Sequence, residues 1–270
     1  MKNCLASLTL AASLLSLPAL ADGKVTFKDP AGDDNGPGTY KYPTDSVYKK
    51  GSFDITELTV EKKGNKVDFS VTLGTQLEDP WKMGNGFATQ MIFIFIDTDG
   101  KEGSGRTDSP PGLNIQFAPS SAWEKVIILS PQAPGRVKKE VEMKAGGLKA
   151  DILVPDRTKG SGRKITGTVD GAQLQGDPSQ WGIQAVMQSN EGFPAGSDLL
   201  TRKVNEYEGQ HRFGGGNDGE CDPHVIDVLA GSAKGDQAEV KAQHEMLKYE
   251  CGADGASVKK ATLQMVRQSK

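Results

Sequence analysis

Histidine, cysteine and the aromatic residues are scarce in this chain, and each scarcity removes a class of chemistry. Its 270 residues include three histidines, three cysteines and three tryptophans, with aromatics at 6%. His211, His224 and His244 stand apart, and there is no His-Glu-x-x-His, no paired cysteine ligands and no Cys-x-x-Cys-His. Zinc catalysis and covalent haem attachment have no footing on such a set. No Gly-x-Ser-x-Gly elbow occurs, and no glycine-rich loop leads into a Lys-Ser or Lys-Thr pair, so a serine nucleophile on a strand-to-helix turn and a phosphate cradle are absent too. Lysine and arginine are spread without a basic block, which makes nucleic acid an unsuitable partner.

Long apolar runs are missing everywhere except at the start. Lys2, the apolar stretch Leu5 to Leu17 and the small-residue ending Ala19-Leu20-Ala21 match the three zones of a secretory signal peptide over residues 1–21, cleaved near Ala21. No later stretch approaches the ~20 apolar residues of a membrane helix, so no membrane insertion is expected and the location is periplasmic or extracellular. Taking 21 from 270 leaves 249 residues, with 31 basic against 35 acidic side chains. That length suits one main domain with a hydrophobic core. Cys4 leaves with the peptide, and in an oxidising compartment the remaining pair, Cys221 and Cys251, is most simply a disulfide.

What is abundant is punctuation: 33 glycines and 14 prolines separate short apolar segments. Met91 to Ile96 is an unbroken apolar and β-branched run, which reads as a strand buried on both faces. Ile55 to Val60 and Val67 to Leu73 alternate apolar with polar residues around Lys63-Gly64-Asn65-Lys66 and predict a hairpin with one wet face. Further strands are expected at Trp123–Leu129, Val137–Met143, Leu148–Val154, Ile165–Val169 and Trp181–Met187. The spacing predicts an all-β fold, a two-sheet antiparallel β-sandwich of jelly-roll type spanning residues 22–252, with one short C-terminal helix over 237–249. Residues 253–270 read as a polar, flexible tail.

Three bends concentrate oxygen donors. The first, residues 29–42, carries Asp29, Asp33, Asp34 and Asn35 among Gly32, Gly36 and Gly38, whose freedom lets several carboxylates converge; calcium suits such hard ligands. Ordinary turn formation is the competing reading of the same residue types. The second, Asp97-Thr98-Asp99-Gly100-Lys101-Glu102, leaves the end of the apolar strand, yet it fails the calcium-hand pattern at Lys101, Glu102 and Asp108. The third, Phe213 to Gly219, brings Asn217 and Asp218. Of the aromatics that could stack on a sugar ring, Trp81 sits in the loop-like stretch Glu78 to Gly86, whereas Trp123 and Trp181 begin apolar strands.

The order Asp-Pro-x-Gly-Asp-Asp-x-Gly-Pro-Gly-x-Tyr-x-Tyr-Pro at 29–43, Gly-Ser-Phe-Asp-Ile at 51–55, Pro-Trp with Asn-Gly at 80–86, Ile-Asp-Thr-Asp at 96–99, and Phe-Gly-Gly-Gly-Asn-Asp-Gly then Val-Ile-Asp at 213–227 resembles the C-terminal binding module of glucodextranase. The resemblance covers nearly the whole mature chain. It implies a β-sandwich related to DOMON-like domains and calcium-containing family-nine carbohydrate-binding modules, acting as a non-catalytic unit that binds polysaccharide or cell-envelope glycan, with a secreted or surface enzyme as an eligible protein partner. Metal roles transfer to Asp29, Asp33, Asp34, Asp54, Asp97 and Asp99, with Asp218 added from the third bend. Glycan contacts are expected from Trp81, Tyr40, Tyr42 and Asn85. The chain departs from the family at Asp79, where Asn tends to precede Pro-Trp, and in its cysteine pair. A b-type haem site using Met91, Met187 and His211, as in DOMON-like relatives, is the second expectation, and a glycoside hydrolase or its accessory is the third.

Overall fold

The computed structural model describes residues 22–230 and 236–268, and the expected signal segment lies outside them. Two sheets face each other. The first holds five antiparallel strands in the order β1-β2-β3-β9-β8, namely Gly23–Lys28, Ile55–Lys63, Lys66–Leu73, Lys164–Asp170 and Thr158–Ser161. The second runs β11-β10-β4-β6-β7, with Asp227–Val228, Gly182–Ser189, Gln90–Asp97, Lys125–Leu129 and Ile152–Leu153; β15 (Val266–Arg267) also pairs with β10. Only β7 lies parallel to its neighbour in that sheet. The β-sandwich expected from the strand spacing is the observed fold.

Alternation explains the first sheet. Val67, Phe69, Val71 and Leu73 of β3 point inward and are fully buried, while Lys66 and Asp68 face water. The β2–β3 hairpin closes with Lys63 opposite Lys66 around Gly64-Asn65, and Gly64 adopts φ 54°, the left-handed conformation such a two-residue turn demands.

The second sheet is different because both of its faces are covered. All eight residues of β4 are buried. Ile92, Ile94 and Ile96 join the core between the sheets, with Leu58, Phe69 and Ile165. Met91, Phe93 and Phe95 point the other way into a second core with Trp123, Val141 and Leu263. Each such side chain taken out of water contributes roughly 1.5–3 kcal/mol, so the outer layer is a substantial part of the fold.

That layer corrects two expectations. Val137–Met143 is not a strand but part of helix α1 (Pro134–Lys144). A strand would turn Lys139 inward beside Val137 and Val141, whereas helical spacing of four puts the two valines on one buried face and pairs Glu140 with Lys144 at 2.8 Å. Pro134 in the first turn needs no amide partner. Residues 253–268 are not a free tail either. Strand β14 (Ala261–Leu263) pairs in parallel with β5 (Ile115–Phe117), and Ala261 and Leu263 are fully buried, so apolar residues at alternate positions anchor an otherwise polar segment. Helix α2 (Asp236–Met246) falls where a helix was expected. It is followed by β12 (Glu250–Cys251), paired with β13 (Ser257–Lys259). Cys221 and Cys251 form a disulfide that ties β12 to the third bend.

Candidate metal centre

Strand β1 ends at Lys28, and the chain then leaves the first sheet as the loop that carries Asp29, Asp33 and Asp34. Asp54 immediately precedes β2, so it returns to the same end of that sheet. Asp227 opens the edge strand β11 of the second sheet, and the carboxylates therefore meet at the seam between the two. One carboxylate oxygen from each of Asp29, Asp33 and Asp227 lies within 4.8 Å of the others. Ligands on opposite sides of a calcium ion, at about 2.4 Å each, are separated by about that distance.

The loop is held in this shape by helix α2 and by glycine. Gln243 donates from Nε2 to the Asp33 carbonyl at 2.5 Å, and its Oε1 accepts the Val228 amide at 3.1 Å, bridging loop and strand. At Gly36, with φ 59°, a β-carbon would stand 2.3 Å from the Tyr40 ring. The turn thus requires glycine on both conformational and steric grounds. Gly74 is constrained similarly, since its β-carbon would come within 2.4 Å of the Asp54 carboxylate.

Among the described residues, no cationic side chain forms an ion pair with Asp29, Asp33 or Asp227, and the only cationic charge that Asp54 feels is that of Arg163. Asp33, Asp54 and Asp227 are at most 3% exposed. Asp29 accepts the Ala230 amide with Oδ1 at 3.3 Å, Asp54 accepts the Gly32 amide with Oδ2 at 2.9 Å, and Asp227 accepts the Ile55 amide with Oδ2 at 2.6 Å. Their remaining oxygens, and both oxygens of Asp33, are buried without a hydrogen-bond partner. Burial, reinforced by neighbouring carboxylates, pushes Asp29 up to about 9, Asp33 to about 7 and Asp54 to about 6, and it raises Asp227 well above the ordinary range. Glu239 of α2 adds its charge to Asp29 and Asp33. Leaving several buried acceptors unsatisfied costs about 1–3 kcal/mol each, more when charged. A hard divalent cation held by Asp29, Asp33 and Asp227 would give each of these three a partner, with Asp54 adding its charge from alongside, so the donor set fits calcium.

The other predicted residues do not join this cluster. Asp34 turns toward Tyr42, whose hydroxyl donates to it. Asp97 and Asp99 form a separate group with Glu124. There Arg267 pairs with Asp97, the amides of Asp99 and Gly100 donate to Asp97 Oδ1, and Lys101 lies 3.7 Å from Asp99. Asp218 is exposed and accepts the Glu206 amide at 3.0 Å; its third bend surrounds the buried Asp222 instead. Asp227 escaped the sequence reading as a ligand. Its signal was an acid set between Val225-Ile226 and Val228-Leu229, a run in which a charged residue must be buried and therefore satisfied.

Among the predicted glycan contacts, Tyr40 is 6% exposed and donates to the Pro223 carbonyl, so its face is closed. Tyr42 packs against Phe53 and Phe213, with ring centroids 5.8 and 4.9 Å away. Asn85 spends its amide on the Pro131 carbonyl at 2.7 Å. Trp81, partly exposed like Tyr42, is set edge-on to Tyr48 and His211 at 6.3 and 6.1 Å. The haem alternative loses its geometry: Met187 lies in the core between the sheets and Met91 in the outer core, while His211 sits in a loop beside Trp81. Among the described residues, no helix is long and apolar enough to cross a membrane.

A family model described as the C-terminal binding-module, SLH-like, of glucodextranase matches residues 25–266. No curated protein matches the chain.

Proposed function

Because the chain belongs to the glucodextranase C-terminal binding-module family over residues 25–266, we propose that it is a non-catalytic, glycan-binding module whose sandwich is locked by calcium at Asp29, Asp33 and Asp227. The observation that carries the metal half is the set of buried carboxylate oxygens without partners at the seam of the sheets. An ion there would fasten the loop after β1 to the edge strand β11 of the other sheet, where Asp227 also accepts the Ile55 amide at the start of β2. Bond-breaking is not its task. A cation held by these carboxylates would support the loops at that end of the fold.

The glycan half draws on the family and on Trp81, whose half-open ring offers an apolar face beside His211, where Nδ1 is buried and without a partner. Its natural ligand is polysaccharide or cell-envelope glycan, met outside the cytoplasm after removal of the N-terminal segment. Affinity electrophoresis through gels containing dextran, starch or pullulan tests the reading. Retardation by at least one glucan is expected, weakened by Trp81→Ala and by chelator. Unretarded migration in every gel, with calcium present, removes the glycan half.

A further inference from the structure

The molecule carries more acid than base, yet one continuous surface reverses that balance. A depression of about 580 Å³ lies over the outward face of β8 and β9, beside Lys66, Arg157 and Lys159. A second, of about 260 Å³, shares Asp156, Thr168, Val169 and Asp170 with it and passes the edge of β7. A third, of about 420 Å³, shares Lys138, Ile152 and Val154 with the second and runs along α1 beside Lys139 and Lys149. Together they make one trough around the side of the sandwich, from the outer face of the first sheet to the helix over the second.

Its walls contain Lys66, Lys138, Lys139, Lys149, Arg157 and Lys159 against Asp156, Asp170 and Glu142. Lys138 pairs with Asp156 at 3.1 Å and Lys149 with Glu142 at 2.7 Å. Asp170 is turned to the Ala172 amide. Lys66, Lys139, Arg157 and Lys159 are exposed and make no ion pair among the described residues. The floor offers Thr166, Asn65 and Gln173 for hydrogen bonds and Ile152, Val154 and Pro155 as small apolar patches, but none of the lining residues is aromatic. A neutral glucan held by ring stacking would find no platform there. A chain with regularly spaced carboxylates, phosphates or sulfates would find a row of unpaired cations over a hydroxyl-bearing floor.

We propose that this trough is a second binding surface, separate from Trp81, for a linear anionic polysaccharide. The choice of a glycan as occupant rests on the binding-module reading; the requirement for negative charge rests on the trough itself. Extended backbone is demanded by its shape, and salt sensitivity by its exposure.

The test is affinity electrophoresis of the calcium-loaded protein with polygalacturonate, with dextran or pullulan, and with polyglutamate as an anionic polymer that is not a glycan. Binding to polygalacturonate is expected, falling about tenfold or more between low and high salt. It should fall at least as far in the variant Lys66→Gln/Lys139→Gln/Arg157→Gln/Lys159→Gln, whose melting temperature should stay near that of the parent because all four side chains are exposed. Trp81→Ala should leave it unchanged. Polygalacturonate binding that survives the fourfold variant, or polyglutamate binding of equal strength, overturns the proposal. Neutral-glucan binding without polygalacturonate binding overturns the trough and leaves the module reading standing, whereas failure with every glycan overturns both. Single Arg157→Gln and Lys159→Gln proteins, each weakening polygalacturonate binding about twofold or more, keep the test decisive if the fourfold protein does not fold.

Discussion

Two groups of three carboxylates stand at opposite fates in this protein. Asp29, Asp33 and Asp227 converge with no ion-paired cation among the described residues, while Asp97, Asp99 and Glu124 converge around neutralising partners: Arg267 on Asp97, Lys101 near Asp99, and a backbone amide on Glu124. Proximity of acids is therefore a poor guide to metal binding by itself. What separates the groups is whether the fold supplies countercharge. The first leaves buried oxygens on every member without a partner, whereas in the second only one Glu124 oxygen is so left.

The largest expected contrast is the response to calcium. A ligand at about 100 times its dissociation constant stabilises by about 2.7 kcal/mol, which for a domain of this size raises the melting temperature by roughly 5–10 °C. Differential scanning calorimetry with chelator and then with excess calcium should show that rise in the parent, and Asp33→Asn should abolish it.

The pH dependence of the metal-free form sharpens the comparison. Asp54, Asp33 and Asp29 are raised to about 6, 7 and 9, so the folded state holds protons that the unfolded chain has released above about pH 4. Stability of the metal-free protein should then fall as pH rises from about 4 toward 9, the opposite of an ion-paired carboxylate. Urea titrations should find metal-free Asp33→Asn equal to the parent near pH 4 and more stable by of order 1–4 kcal/mol at pH 8. An unchanged difference across that range would mean that the carboxylates are not in conflict.

In the second group the countercharge itself can be removed. Arg267→Gln leaves buried Asp97 with only its backbone donors and also loosens β15, and a loss of about 1–3 kcal/mol is expected by urea denaturation. The smallest effect belongs to Asp99→Asn, an exposed turn residue: stability should move within about 0.5 kcal/mol, and the calcium response should match the parent in calorimetry.

Much of the scaffold was legible in the chain because period and punctuation are local signals. The β2–β3 hairpin, the doubly buried β4 and the α2 helix follow from residues close together in sequence. Helix α1 was missed because Val137, Val141 and Met143 also satisfy an alternating pattern, and only the second core decides between the two periods. The tail was missed because its anchors, Ala261 and Leu263 beside β5 and Val266 beside β10, are isolated apolar residues in a polar segment. At the site, Asp29 and Asp33 could be read from their glycine-rich loop, but the direction of Asp34 could not, since adjacent side chains diverge and Tyr42 claims it. Asp97 looked equivalent to Asp33 because its partner Arg267 lies 170 residues away. The basic trough is likewise assembled from residues between 65 and 173 and has no sequence signature.

Native mass spectrometry of chelator-stripped protein titrated with calcium addresses the distinction most directly. One tightly held ion per chain is expected in the parent and in Asp99→Asn, and none in Asp33→Asn. Absence of any bound ion in the parent, or an ion retained undiminished by Asp33→Asn, would contradict the assignment of the seam carboxylates as the metal centre.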